Sequence, residues 1–259
     1  GVDGGGALGN LFLRSETGNI NLASNFITVR GELSINAAGN ITGPTFLTVN
    51  GEASVISEQG AISLGDLFSL SINGSAGDGD FEIIANGDIT VEDRISTGGG
   101  DISLVSQNGS ISVTNSLESS GLDVNSTTTE AGDIFLSAVN GDVIFDFIST
   151  ANVIGIETAG DVIIEAGGNV RGTGFDFFST GRATIFTDAP VADGDISITH
   201  GGGLTTLFVV GNGDVNGTAA AITSGTATLG NQILLGDFIN GNIEINTVEA
   251  AFFFIFFSA

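Results

Sequence analysis

The sequence predicts an all-β chain wound as a parallel β-helix, a β-solenoid of about ten coils with little or no α-helix. Three observations predict it. A module recurs: Gly100–Val113 reads G-D-I-S-L-V-S-Q-N-G-S-I-S-V, Gly132–Phe145 reads G-D-I-F-L-S-A-V-N-G-D-V-I-F, and Gly79–Val91 reads G-D-F-E-I-I-A-N-G-D-I-T-V. Such self-similarity marks a repeat architecture. Within each copy apolar and polar residues alternate, so Ile102 and Leu104 face one way and Ser103 the other. Composition is the third: 41 glycines stand beside only 2 prolines while 41% of residues are hydrophobic, which is too apolar for a disordered linker. The glycines follow no period of three, so they belong at corners between short strands rather than in a collagen-like chain.

Taken in order, each coil carries two or three strands. Markers of the form G-[DNSA]-[IV] or close relatives fall at Gly18, Gly39, Gly60, Gly79, Gly100, Gly132, Gly160, Gly194 and Gly241. Their steps run from about 19 to 21 residues up to Gly100 and about 28 to 34 over the next three, so the later coils hold insertions at one corner. A second module repeats at Ile27–Leu33 (I-T-V-R-G-E-L), Leu47–Ala53 (L-T-V-N-G-E-A) and Leu70–Ala76 (L-S-I-N-G-S-A). A third reads D-R-I-S-T at Asp93–Thr97, F-D-F-I-S-T at Phe145–Thr150 and F-D-F-F-S-T at Phe175–Thr180. Its phenylalanines are expected to stack, Phe145 and Phe147 under Phe175 and Phe177. Short alternating strands with Asn-Gly corners also fit an antiparallel sandwich or barrel. The recurrence of like residues in the same order favours the solenoid, whose corners take Asn-Gly equally well. Residues 1–259 read as one such domain. With no methionine, the chain is expected to begin inside a longer precursor or to have been processed.

Charge narrows the partners. The net charge is −25, and the five basic residues, all arginines, are scattered. A nucleic-acid backbone would be repelled, and an anionic membrane surface is disfavoured for the same reason. The absence of cysteine excludes a disulfide framework. The longest apolar run, Ala250–Phe257, falls far short of the ~20 residues of a membrane helix, so no membrane span is expected.

The tandem G-D-I-x-L, N-G-x-I-x-V and [IL]-T-V-x-G-E-A modules resemble the passenger repeats of filamentous haemagglutinin-like proteins, including the large cyanobacterial ones. The resemblance runs from about Gly18 to Asn246; each motif alone is weak, and their ordered recurrence carries it. It implies a right-handed parallel β-helix, exported by two-partner secretion and working outside the cell, as a secreted or surface filament in adhesion. The expected partners are surface glycans or proteins, or other copies of the chain. The amino-terminal secretion domain of that family is not seen here. Nor is an Arg-Gly-Asp motif: Arg30-Gly31-Glu32 and Arg171-Gly172-Thr173 depart from it.

Candidate chemistry lies at the corners. Asp80, Asp101, Asp133, Asp161 and Asp195 each follow a glycine. Stacked carboxylates about 5 Å apart repel by roughly 1 kcal/mol in water. One expectation is that each accepts a corner N–H bond. The sharper one is calcium held by Asp78, Asp80, Glu82 and Asp101, although the nonapeptide that builds calcium-binding β-rolls is missing and calcium wants six to eight oxygens. No other cofactor is expected. A polysaccharide-cleaving enzyme is the alternative class, since parallel β-helices also host such activities. Against it, tryptophan, tyrosine and lysine are absent, and His200 stands alone in T-H-G-G-G, so no catalytic residue is assigned. The Gly98–Gly100 and Gly201–Gly203 runs lack the lysine and helix of a phosphate loop. Phe252, Phe254 and Phe256 would alternate on one face of a terminal strand and are candidate assembly contacts, end to end or lateral. A head-to-tail fibre is thus the structural alternative. An ice-binding face would need ladders of Thr-x-Thr, and Thr226-Ala227-Thr228 is isolated.

Overall fold

A computed structural model describes residues 9–22, 26–69, 79–119, 130–150, 158–175, 180–186, 194 and 196–202, together with the backbone of strands 207–210, 215–219, 232–236, 243–246 and 252–256. The described residues form strands, turns and bends, with no helix. Ten strands make the first wall in chain order: Leu11–Ser15, Leu33–Ala37, Ala53–Ser57, Phe81–Ala85, Ile102–Ser106, Ile134–Ala138, Val162–Ala166, Ile196–His200, Val215–Ala219 and Ile243–Asn246. Every neighbouring pair is parallel and in register, so each coil adds one strand beside the last. This is the parallel β-solenoid that the repeats predict.

The second and third walls are continuous in one larger sheet. The second carries Ile41–Thr42, Ile62–Leu64, Ile89–Val91 and the first halves of Ile111–Glu118 and Val143–Ser149. The third begins with Phe26–Val29, Phe46–Val49, Asp66–Ser69 and Arg94–Ser96 and joins the second halves of the same long strands. A register shift between Val113 and Ser116 marks the bend.

Period-two patterning explains why the walls close on a core. Phe81, Ile102, Ile134 and Val162 stack in one inward column, and Ile83, Leu104, Leu136 and Ile164 in the next, all buried. Each such side chain contributes about 1.5–3 kcal/mol on burial. The last inward position of six successive first-wall strands is small: Ala37, Ser57, Ala85, Ser106, Ala138 and Ala166 follow one another. Small side chains there let the chain turn the corner.

Two sequence readings change. The marker series mixes two corners. Gly18, Gly39 and Gly60 precede second-wall strands, whereas Gly79, Gly100, Gly132, Gly160 and Gly194 precede first-wall strands. Both corners use the same motif because both need a close approach and an acceptor, as shown below. The phenylalanine stack is also corrected. Phe145 lies in the core, but its partner in the next coil is Gly172, and Phe147 meets Thr184. Gly174–Phe175 instead pairs antiparallel with the start of Thr180–Phe186. Coil equivalence therefore resumes at Thr184–Phe186, and the similarity of the two strings does not place Phe175 over Phe145. Phe177 lies outside the described residues.

Candidate functional site

The corners hold the molecule's polar chemistry. At the entry to the first wall, the residue after the glycine does two jobs. Its carbonyl accepts a bond from the coil before, as when Ile102 N–H donates to Asp133 O at 2.9 Å. Its own N–H points back to that coil and needs an acceptor there. The preceding carboxylate supplies it: Asp101 N–H donates to Asp80 Oδ1 at 2.9 Å, Asp133 N–H to Asp101 Oδ1 at 2.8 Å, and Asp161 N–H to Asp133 Oδ1 at 2.8 Å. Asn10 Oδ1 does the same for Glu32 N–H at 3.0 Å. The aspartates thus form a ladder through the backbone.

A second ladder runs at the entry to the second wall. Asn19 Oδ1 accepts from Asn40 N–H, Asn40 Oδ1 from Ala61 N–H, and Asp88 Oδ1 from Ser110 N–H, each at 2.8 Å. Ser110 Oγ accepts from Asp142 N–H at 3.0 Å, and Asp142 Oδ1 from Asn169 N–H at 2.7 Å. Arg171 Nε closes on Asp142 Oδ2 at 3.2 Å. The sequence signal for this ladder is the Asn, Asp or Ser that follows Gly18, Gly39, Gly87, Gly109, Gly141 and Gly168. Sequence reasoning had attached significance only to the first-wall aspartates.

At several of these corners the glycine before the ladder residue has a steric cause. A Cβ on Gly160 would press into the carbonyl of Gly132, and one on Gly141 into that of Gly109. Backbones of successive coils touch there, and only glycine fits.

The structure thus places Asp80 and Asp101 in one ladder, with an oxygen of each turned to a backbone N–H. Glu82 points out of the first wall, where its Oε2 takes the Ser54 hydroxyl at 3.2 Å. Asp78 lies outside the described residues. Among the described residues no three acidic or histidine side chains gather as a metal would require. Burial is the first cause that raises the Asp133 carboxyl above its ordinary range, with the Asp161 and Asp101 charges adding to it and the Asp161 N–H opposing.

Another polar group sits on the third wall. Asp66 is buried and accepts the Arg94 N–H at 3.2 Å. Burial, then the Asp93 charge, raises its carboxyl, while Arg94 works the other way. Asp93 takes the Asn115 amide at 2.8 Å, and the buried Glu118 takes the Ser116 hydroxyl at 2.7 Å. Asp66 and Asp93 thereby tie successive coils together, while Glu118 is held within its own strand.

His200 ends its strand in the column otherwise held by Ala and Ser, directly beside Ala166. It is buried, and its Nδ1 lies 3.1 Å from Gly202 O. Its place is the end of a strand, where the chain turns the corner. Burial holds its pKa below the usual imidazole value. The backbone of Phe252–Phe256 pairs parallel with Gln232–Gly236 as a further strand of the solenoid. The side chains of Phe252, Phe254 and Phe256 are outside the described residues. No helix among the described residues is long and apolar enough to cross a membrane. No known protein family, curated protein or solved structure matches this chain.

Proposed function

We propose that the chain is a structural, extracellular or cell-surface β-solenoid of the filamentous haemagglutinin-like kind, a stiff acidic rod that serves adhesion. The observation that carries this reading is the unbroken parallel register of ten first-wall strands. At the ~4.8 Å spacing of paired strands, that stack spans about 45 Å. Stiffness follows from corners closed by the two side-chain-to-backbone ladders as well as by strand pairing. The net charge of −25 keeps such rods apart in solution and favours neutral or basic receptors. Asp80, Asp101, Asp93 and Glu118 are engaged with the chain's own donors, which supports a structural over a catalytic role.

The test pairs electron imaging of the purified chain with binding to arrays of glycans and surface proteins. Single rods that bind saturably to a receptor class support adhesion. Uniform long filaments without receptor binding would replace it with the head-to-tail fibre. Release of reducing ends from a polysaccharide would replace it with an enzyme.

A further inference from the structure

We infer that Asn140 is a site of spontaneous covalent modification, ring closure onto Gly141 followed by hydrolysis to aspartate and isoaspartate. The chain has several Asn-Gly pairs, and the geometry of the second-wall corners separates those at Asn86, Asn108 and Asn140. Ring closure needs the glycine nitrogen as nucleophile, so a glycine N–H held in a hydrogen bond is protected.

Two kinds of second-wall corner occur. In the short kind the glycine N–H donates to the glycine carbonyl of the coil before: Gly87 to Gly60 O at 2.8 Å and Gly168 to Gly141 O at 2.8 Å. In the long kind, with one more residue, that reach is lost. The strand-ending serine then supplies the acceptor: Gly60 N–H donates to Ser57 Oγ and Gly109 N–H to Ser106 Oγ, each at 3.0 Å. The corner at Ala138-Val139-Asn140-Gly141 is of the long kind, but alanine stands where the others have serine. Among the described residues, the Gly141 N–H has no acceptor. Val139 and Asn140 are exposed, so water and base reach the pair.

Asn108 provides the internal comparison. Its amide donates to Asn86 Oδ1 at 2.8 Å, and the Asn140 amide donates to Gln107 O at 2.8 Å and Asn108 Oδ1 at 3.3 Å. Both side chains belong to one amide ladder, and both precede glycine. They differ in whether the following N–H is held.

The chemistry balances with water alone. Gly141 nitrogen loses its proton to solvent and bonds to Asn140 Cγ. The Cγ–Nδ2 bond breaks and ammonia leaves. Water then opens the ring at either carbonyl, giving aspartate or, with the chain rerouted through Cγ, isoaspartate. Either product removes the amide donor to Gln107 O, so the ladder loses its end.

The experiment incubates the whole folded chain in mildly alkaline buffer and follows each Asn-Gly peptide by mass spectrometry that separates aspartate from isoaspartate. Asn140 is expected to convert about fivefold or more faster than Asn86 and Asn108, the rate equivalent of the roughly 1 kcal/mol of a hydrogen bond. Ala138→Ser should slow Asn140 by a similar factor, and Ser106→Ala should expose Asn108. Equal rates at Asn108 and Asn140 in the wild-type chain would overturn the inference, whether or not either variant folds. So would an Ala138→Ser chain, folded by circular dichroism, whose Asn140 reacts as fast as before.

Discussion

The backbone N–H of Asp133 donates to the Asp101 carboxylate, 32 residues earlier, at 2.8 Å. The same bond links Asp101 to Asp80 and Asp161 to Asp133. The repeated aspartate is therefore an acceptor first and a charge second. Asp101→Ala should cost about 1–2 kcal/mol, because it leaves a corner N–H without its partner. Asp101→Asn keeps the oxygen and removes one charge from a like-charged column, so it should fall within about 0.5 kcal/mol of the parent. Urea denaturation of the two variants separates the roles. Equal losses would show that the charge matters and the hydrogen bond does not.

That ladder also shows where sequence reasoning stopped. The coil, its parallel order and its inward columns were legible because Ile102, Leu104 and their counterparts repeat with period two after a recognisable corner. The backbone acceptor role of Asp101 was legible as one of two readings, since aspartate chemistry allows a metal as well. The direction of the bond, from the next coil back, was not. It depends on the axial approach of corners that lie 21 to 32 residues apart. Phe175–Thr180 misled because the two ends of this strongly similar string, Phe175 and Thr180, pair antiparallel with each other. Local similarity cannot report an insertion that restores the register only at Thr184.

Glycine at the close approach gives a second prediction. Gly160→Ala would force a methyl group against the Gly132 carbonyl and the Asp133 nitrogen, neither of which can rotate away. The expected loss is about 3 kcal/mol or more. Gly18→Ala is the control, since a Cβ there meets only the Ser15 hydroxyl at an ordinary 3.7 Å. Thermal melts should show a large fall for the first and little change for the second. Similar melts for both would mean the coils are spaced more loosely at Gly160 than they are in this structure.

Ser106 stabilises as well as protects. Its hydroxyl accepts from Gly109 N–H at 3.0 Å and donates to Gly87 O at 2.9 Å, joining two coils through one oxygen. Ser106→Ala should cost about 1–3 kcal/mol by leaving both groups unpaired. Ala138→Ser at the equivalent position should gain about 1 kcal/mol, provided its hydroxyl reaches Gly141 N–H and Gly109 O as its counterpart does. Chemical denaturation reads both signs, and a destabilised Ala138→Ser would show that the column has no room there.

Charge sets the response to salt. With a net charge of −25, self-repulsion opposes the compact coil, and added sodium chloride should raise the melting temperature steadily as it screens. Calcium at matched ionic strength should add no saturable step if the corner carboxylates serve backbone donors alone. A saturable rise with calcium, abolished by Asp80→Asn, would instead establish a metal at this ladder.

The pH response divides between His200 on one side and the carboxyls of Asp66 and Asp133, of opposite sign, on the other. His200 is buried in the small-residue column, and its folded pKa lies below the unfolded value of 6.5. Below pH 6.5 the unfolded chain therefore binds the proton more readily than the folded one. Stability from this site is full above 6.5 and is lost as pH falls through the lower folded value. Asp133 works the other way. Its folded pKa lies above 3.8, so the folded chain holds the proton more tightly, and stability from this site is lost as pH rises from 3.8 through the folded value. His200→Ser places at this corner the residue that Ser57 and Ser106 supply at theirs, and it should flatten the fall in stability on the acid side of 6.5. Asp133→Asn should reduce the opposing slope to the share of Asp66 while keeping the acceptor for Asp161 N–H. Denaturant midpoints measured across pH 3.5 to 7.5 test both, since each window opens at its own unfolded value. A His200→Ser chain with the parent's unchanged slope below 6.5 would place the titration elsewhere in the molecule.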